Sequence, residues 1–205
     1  MAIEQIKVGF DNFSYIIYDL KSKESAIVDP STNIEYQVDF LNSNKLDLKY
    51  IINTHHHIDH MSKNKELSRL FPKTKIIVSK AYKRMLEKNS KIKVSESYKL
   101  KLGNITLKFL ITPGHTTDGL CIIIDDEAII TGDTLFIDDC GRADLLGSNI
   151  TDLFNSLQKI KKLSDSIVVY PGHDYGPKPF DSLGNQKITN KSLLAKDLYE
   201  FSKIS

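Results

Sequence analysis

Thr54-His55-His56-His57-Ile58-Asp59-His60 gathers four imidazoles and a carboxylate directly after the apolar run Tyr50-Ile-Ile-Asn-Thr54. In an extended segment alternate side chains share a side, so His55 and His57 point together and His56 points away. Asp59 and His60 arrive at the turn into the next helix, too late for that extended stretch, and face a different side. A strand that ends in such a cluster reads as the wall of a metal centre.

Three further short motifs supply what the cluster lacks. His115 stands in Thr-Pro-Gly-His-Thr, Asp133 in Thr-Gly-Asp-Thr and His173 in Pro-Gly-His-Asp, so with His55, His57 and His60 five of the six histidines fall where a pair of ions would need them. Neutral imidazole and carboxylate suit zinc, iron and manganese, and three protein ligands leave the open position that catalysis needs. One ion is then expected on His55, His57 and His115, and a second on Asp59, His60 and His173. Asp133, with two carboxylate oxygens, bridges them as in two-metal hydrolytic centres. Isolated histidines are common in polar loops. Here His60, His115 and His173 adjoin Asp or Gly and all five lie just past strand signals, a pattern that points to a site. For His56 a packing or supporting role is the expectation.

The 205 residues, 40% of them hydrophobic, suffice for a sizeable core and fit one domain over residues 1–205. A formal charge of +2 is too small to imply nucleic acid. The basic stretch Lys80 to Lys93 mixes Met85, Leu86 and Ile92 at helical spacing and reads as a solvated helix face. Cys121 and Cys140 have no framework spacing and fit free thiols in a reducing compartment. The N-terminal residues lack the charged and apolar regions of a secretory leader, and no apolar stretch is long enough to cross a bilayer. These readings place the protein in the cytoplasm, without a membrane partner. Only three of the 28 basic residues are arginine, Arg69, Arg84 and Arg142. Arg142 stands in a loop fit either to contact an anionic substrate or to form an ion pair.

Strand signals cover Ile3–Phe10, Ser14–Leu20, Glu24–Asp29, Leu48–Asn53 and Lys75–Ser79, then Ser97–Leu102, Ile105–Thr112, Leu120–Asp125, Ala128–Thr131 and Ile167–Tyr170. Helical spacing covers Ile34–Asn42, Met61–Leu70, Ala81–Asn89, Thr151–Leu163 (capped by Thr151 or Asn149) and Asn190–Ser202. Two β-rich halves with helices outside and every candidate ligand at one rim predict an α/β protein, a four-layer αββα sandwich.

The ordered set His-x-His-x-Asp-His, Pro-Gly-His-Thr, Thr-Gly-Asp-Thr-Leu-Phe and Pro-Gly-His-Asp-Tyr resembles the metallo-β-lactamase superfamily over nearly the whole chain. Within it the chain looks most like glyoxalase II (hydroxyacylglutathione hydrolase) and the related persulfide dioxygenases. His57 stands where flavodiiron members carry glutamate, and Asp133 where the antibiotic-hydrolysing members generally lack a bridging aspartate. By resemblance, Arg142 in Asp139-Cys140-Gly141-Arg142 and Tyr175 after His173 contact a glutathione-type thiol substrate. Asp29, by the same resemblance, orients a ligand histidine. About thirty residues follow His173, whereas full-length glyoxalase II continues into a helical domain.

The activity implied is thioester hydrolysis. Two ions would bring bound water to hydroxide near neutral pH, with Asp59 and Asp133 as catalytic carboxylates. The departing thiolate, whose acid has a pKa near 8.5, needs little help. The alternative is a persulfide dioxygenase with one Fe(II) on His55, His115 and Asp133. Lactone or weak β-lactam hydrolysis on the same fold also remains open, as does a homodimer.

Overall fold

The computed structural model describes residues 1–83 and 91–204. The first sheet runs in spatial order through β1 (Ala2–Val8), β2 (Asn12–Tyr18), β3 (Glu24–Val28), β4 (Asp47–Ile52), β5 (Lys75–Ser79) and β6 (Lys91–Val94). Its connections carry α1 (Glu35–Ser43), α2 (Ile58–Met61) and α3 (Asn64–Leu70). The second sheet contains β7 (Lys99–Leu102), β8 (Ile105–Ile111), β9 (Leu120–Ile124), β10 (Ala128–Gly132), β11 (Val168–Pro171) and β12 (Asp181–Ser182), again adjacent in chain order. The helix α4 (Ile150–Lys161) joins β10 to β11, and α5 (Leu183–Thr189), α6 (Lys191–Leu194) and α7 (Leu198–Phe201) close the chain.

Each sheet opens on antiparallel hairpins, and the β3–β4, β4–β5 and β10–β11 pairs become parallel where helices cross over. β3, β4, β5 and β6 pair in parallel, and so do β10 and β11. That reversal matters for the site, because the carboxyl ends of parallel neighbours all open to the same rim. Residues just past β3, β4, β10 and β11 include Asp29, His55, Asp133 and His173.

The strand period sorts the core into layers. On β2, Tyr15 and Ile17 join Ile52, Ile77, Leu107, Phe109, Ile122 and Ile130 in the cluster between the sheets, while Ile16 turns to the other face with Ile27, Ile51 and Leu41 of α1. On β9, Leu120, Ile122 and Ile124 face inward, and Cys121 and Ile123 face outward onto Leu153, Leu157 and Ile160 of α4. Strands apolar on both faces make sense only when both faces are covered. The architecture is the expected αββα sandwich, with helices on each outer face.

One edge strand of each sheet is marked by lysine. β6 reads Lys-Ile-Lys-Val and β7 reads Lys-Leu-Lys-Leu. Ile92 and Leu100 pack against the central core, and the lysines occupy the alternate positions.

Two readings of the sequence differ from the fold among the described residues. The terminal helix expected over Asn190–Ser202 is interrupted: the Asn190 and Asp197 side chains cap α6 and α7 from extended backbone, so each short helix restarts rather than continuing. The segment read as a helix face at Lys80–Lys93 ends in β6, whose lysines alternate with Ile92 and Val94 at strand rather than helix period. The helix expected at Ala81–Asn89 lies almost wholly outside the described residues. For α4 the structure chooses between the two candidate caps, with Asn149 accepting from the Asp152 amide at 3.0 Å. No described helix is long and apolar enough to cross a membrane.

Candidate metal centre

The centre sits where loops from both sheets meet. The first sheet delivers His55 and His57 on the extended chain leaving β4, with His57 as the N-cap of α2, and Asp59 and His60 on α2 itself. The second sheet delivers His115 after β8, Asp133 after β10 and His173 after β11. These seven residues fall into two groups, His55, His57, His115 and Asp133 in one and Asp59, His60 and His173 in the other, with candidate donor atoms within 4.8 Å of one another in each. Asp133 faces both: its Oδ1 lies 3.3 Å from His60 Nε2, and its Oδ2 lies 3.4 Å from His115 Nε2 and 3.3 Å from His173 Nε2.

Hydrogen bonds at the backs of the rings fix which nitrogen faces inward. His60 Nδ1 donates to Asp29 Oδ2 at 3.0 Å, His173 Nδ1 to Asp11 Oδ1 at 3.2 Å, and His115 Nδ1 to the Arg142 carbonyl at 2.9 Å. Thr54 Oγ1 donates to Asp29 at 2.6 Å, which leaves it to accept from His55 Nδ1 at 3.1 Å. With Nδ1 protonated in all four rings, each Nε2 presents a lone pair to the interior.

That arrangement is unfavourable without a cation. His60 and His173 bring Nε2 atoms within 3.2 Å of each other, and His115 Nε2 is 3.1 Å from His57 Nδ1. Among the described residues, His55 Nε2 and Asp133 Oδ1 are buried with no hydrogen-bond partner. Ligand atoms about 2.0–2.1 Å from a tetrahedral zinc would stand roughly 3.3 Å apart, and most of these donor separations fall near that value. Both the donor chemistry and its spacing fit divalent ions.

Without an ion the electrostatics divide the rings. Burial and the neighbouring His60 hold His55 well below the usual imidazole range, favouring the neutral, ligating form. Burial lowers His57 too. For His60 burial is outweighed by Asp133 and Asp29, which carry it well above that range. Burial opposes the charge on Asp133, but His60 and His55 keep it ionised. A buried anion ringed by imidazoles collects positive charge, which a metal ion supplies directly.

Close backbone packing holds Asp133 in place. Gly132 has φ +51°, and a Cβ there would strike the Thr54 side chain. A Cβ on Gly172 would collide with Asp133 Oδ1 itself. Glycine in Thr-Gly-Asp and Pro-Gly-His is therefore a steric requirement of the cluster.

Arg142 and Tyr175 lie at the mouth. The Arg142 guanidinium is exposed and grips Asp144 through two bonds of 2.9 and 2.8 Å, while its carbonyl holds His115. Tyr175 stacks on the His173 ring at 4.7 Å, with its pKa pushed up to about 12 by partial burial and nearby acids including Asp11. His56 turns outward and bonds Asp118 at 2.6 Å. Three contributors escaped sequence reading. Asp11 and Asn12 come from the β1–β2 turn, where Asn12 Nδ2 donates to Asp59 Oδ2 at 3.0 Å, and Asp118 steadies the histidine loop. As ordinary polar turn residues, none carried a motif.

The metallo-beta-lactamase superfamily model matches residues 8–173, and the chain belongs to that superfamily. Among its curated relatives it is 33% identical over 196 residues to the "Probable polyketide biosynthesis zinc-dependent hydrolase PksB" of Bacillus subtilis (strain 168), covering 94% of this chain and 80% of the relative. It is 34% identical over 176 residues to the hydroxyacylglutathione hydrolase of Pelagibacter ubique (strain HTCC1062), covering 85% and 72%. The crystal structure of ETHE1 from Myxococcus xanthus superposes with a TM-score of 0.89 at 25% identity, covering 100% of this chain and 89% of that one.

Proposed function

We propose that this chain is a metal-dependent thioester hydrolase holding two divalent ions, zinc or else iron or manganese, with both sheets working as one domain. The single observation that carries the reading is the pair of donor groups meeting at Asp133. The likeness to hydroxyacylglutathione hydrolases and to a zinc-dependent hydrolase supports it. Bound ions supply Lewis acidity and water that ionises near neutral pH.

The chain's own residues then orient and exchange protons. Asp59 Oδ2 is 3.6 Å from both His60 Nε2 and His173 Nε2, and its side chain is 45% exposed, so it borders both the ions' ligands and entering substrate. Asn12 donates to that same Oδ2, leaving Oδ1 to receive the proton of attacking water. The water oxygen joins the carbonyl carbon, the carbon–sulfur bond breaks, and the sulfur leaves as a thiolate that solvent protonates. A thiol of pKa near 8.5 needs no dedicated acid. The two free cysteines support a reducing, cytoplasmic setting.

A second reading, oxidation of a persulfide at one iron held by His55, His115 and Asp133, is supported by the likeness to ETHE1 and by the Gly141-Arg142-Ala143-Asp144 run. Elemental analysis of untagged protein purified without added metal, followed by a thioester panel and an oxygen electrode, separates the two. Two ions per chain with thioester turnover is the expected result. One iron with oxygen uptake on persulfide, and no thioester turnover, would overturn the hydrolase.

A further inference from the structure

Resting on the thioesterase reading, we propose that the mouth of this centre receives an extended apolar acyl chain, with Phe10, Ile58 and Leu146 selecting the substrate through that chain.

Leu146 and Phe10, at 106% and 93% relative exposure, are the two most exposed large apolar side chains among the described residues. Both lie on loops that buttress the donors. Phe10 occupies the turn whose Asp11 accepts from His173 Nδ1 and whose Asn12 donates to Asp59. Leu146 occupies the loop between Arg142, whose carbonyl holds His115, and Asn149, whose amide donates to the Gly114 carbonyl at 2.7 Å. Ile58, 67% exposed, stands between His57 and Asp59, and Tyr175, 56% exposed, stacks on His173. Single exposed apolar residues are ordinary, but several on the loops around one reactive centre mark a binding rim.

The charges at the mouth argue against a glutathione conjugate. Lys7 is paired with Asp174 at 2.7 Å and Arg142 with Asp144. Asp11 and Asp59 both stand beside His173. Glutathione carries two carboxylates and one ammonium, so it would meet acids and engaged cations. An acyl chain on a neutral thiol meets only the apolar rim.

The test compares kcat/KM of metal-loaded protein for acetyl, hexanoyl and decanoyl thioesters of N-acetylcysteamine and of glutathione. Each methylene the rim covers is expected to raise kcat/KM about two- to fourfold, with the neutral thiol preferred, and F10S together with L146S should lower the decanoyl-to-acetyl ratio at least tenfold. A flat chain-length series, a glutathione preference, or a ratio that survives the double substitution would overturn the proposal. A separate arm distinguishes this from failure of the hydrolase reading. The chain has no tryptophan, so F10W creates the sole indole, whose emission should shift to the blue on adding the non-hydrolysable decanoyl thioether. No shift rejects the apolar rim whatever the reaction, and a shift produced by raising protein concentration alone assigns the rim to a second copy instead. Thioesters left intact by a protein that binds the thioether would sink the hydrolase reading, and with it selection by acyl chain.

Discussion

Replacing Asp29 by asparagine should unload one donor group and spare the other. Asp29 is 2% exposed and its carboxylate accepts three bonds, from the Thr54 amide at 2.8 Å, Thr54 Oγ1 at 2.6 Å and His60 Nδ1 at 3.0 Å. Its φ of +50° is one asparagine tolerates, so the backbone stays. The new amide keeps one acceptor for the Thr54 amide but turns an NH2 toward both His60 and Thr54 Oγ1, and the hydroxyl, with two lone pairs, accepts one of its hydrogens while still accepting from His55 Nδ1. The His60 imidazole answers by accepting at Nδ1 and carrying its proton on Nε2, the atom that faces His173 and Asp133. A protonated Nε2 cannot ligate. Loss of such an orienting partner lowers metal affinity about ten- to a hundredfold, or roughly 1.4 to 2.7 kcal/mol. Chelator titration of zinc-loaded protein, read by a competing indicator and by elemental analysis, should show the mutant keeping one ion where the wild type keeps two. Two ions held at wild-type affinity would refute the tautomer argument, and simultaneous loss of both would refute the division into two groups.

Burial pushes both thiols up, Cys121 and Cys140 each to about 11; Ellman's reagent at a pH of about 8 should therefore leave them untouched until denaturant is added, and rapid reaction of the native protein would contradict their burial. N149A removes the oxygen that caps α4 and should cost about 1 kcal/mol in urea unfolding. Asp19 accepts from the amides of Asn104 and Lys21, which hold its carboxyl below the usual range. Its contribution to stability is present above its unfolded pKa of about 4 and is lost as pH falls through the depressed folded value, so acid melting of D19N should be shallower than wild type, and parallel curves would remove Asp19 from the account.

Legibility tracked how local the physics was. The strand signal at Ser14–Leu20 placed β2, and the spacing of His55, His57 and His60 separated two directions within one loop. Asp133 stood out because Thr-Gly-Asp-Thr supplied a carboxylate with two oxygens beside the histidine motifs. Asp11, Asn12 and Asp118 carried no such mark, since their meaning comes from a turn that lands against a loop far away in the chain. Arg142 offered two partners on paper. Asp144, two residues on, took its guanidinium, a competition that depends on loop geometry. The broken terminal helix was hidden for a similar reason: a cap and a helix-interior asparagine look alike until the backbone direction is known.

The donors are divided between the sheets, and that division reaches beyond catalysis. The first half of the chain, with His55, His57, Asp59 and His60, and the second, with His115, Asp133 and His173, each hold only part of either group. An ion bound there is a rivet through the sandwich, and neither half can grip it tightly alone. Metal acquisition is thereby coupled to folding: free ion adds to the stability of the assembled protein, and a chelator withdraws that increment while the apolar core between the sheets remains. A newly made chain cannot complete its reactive centre before His173 has been synthesised and both sheets have closed, so unassembled intermediates are spared a competent active site.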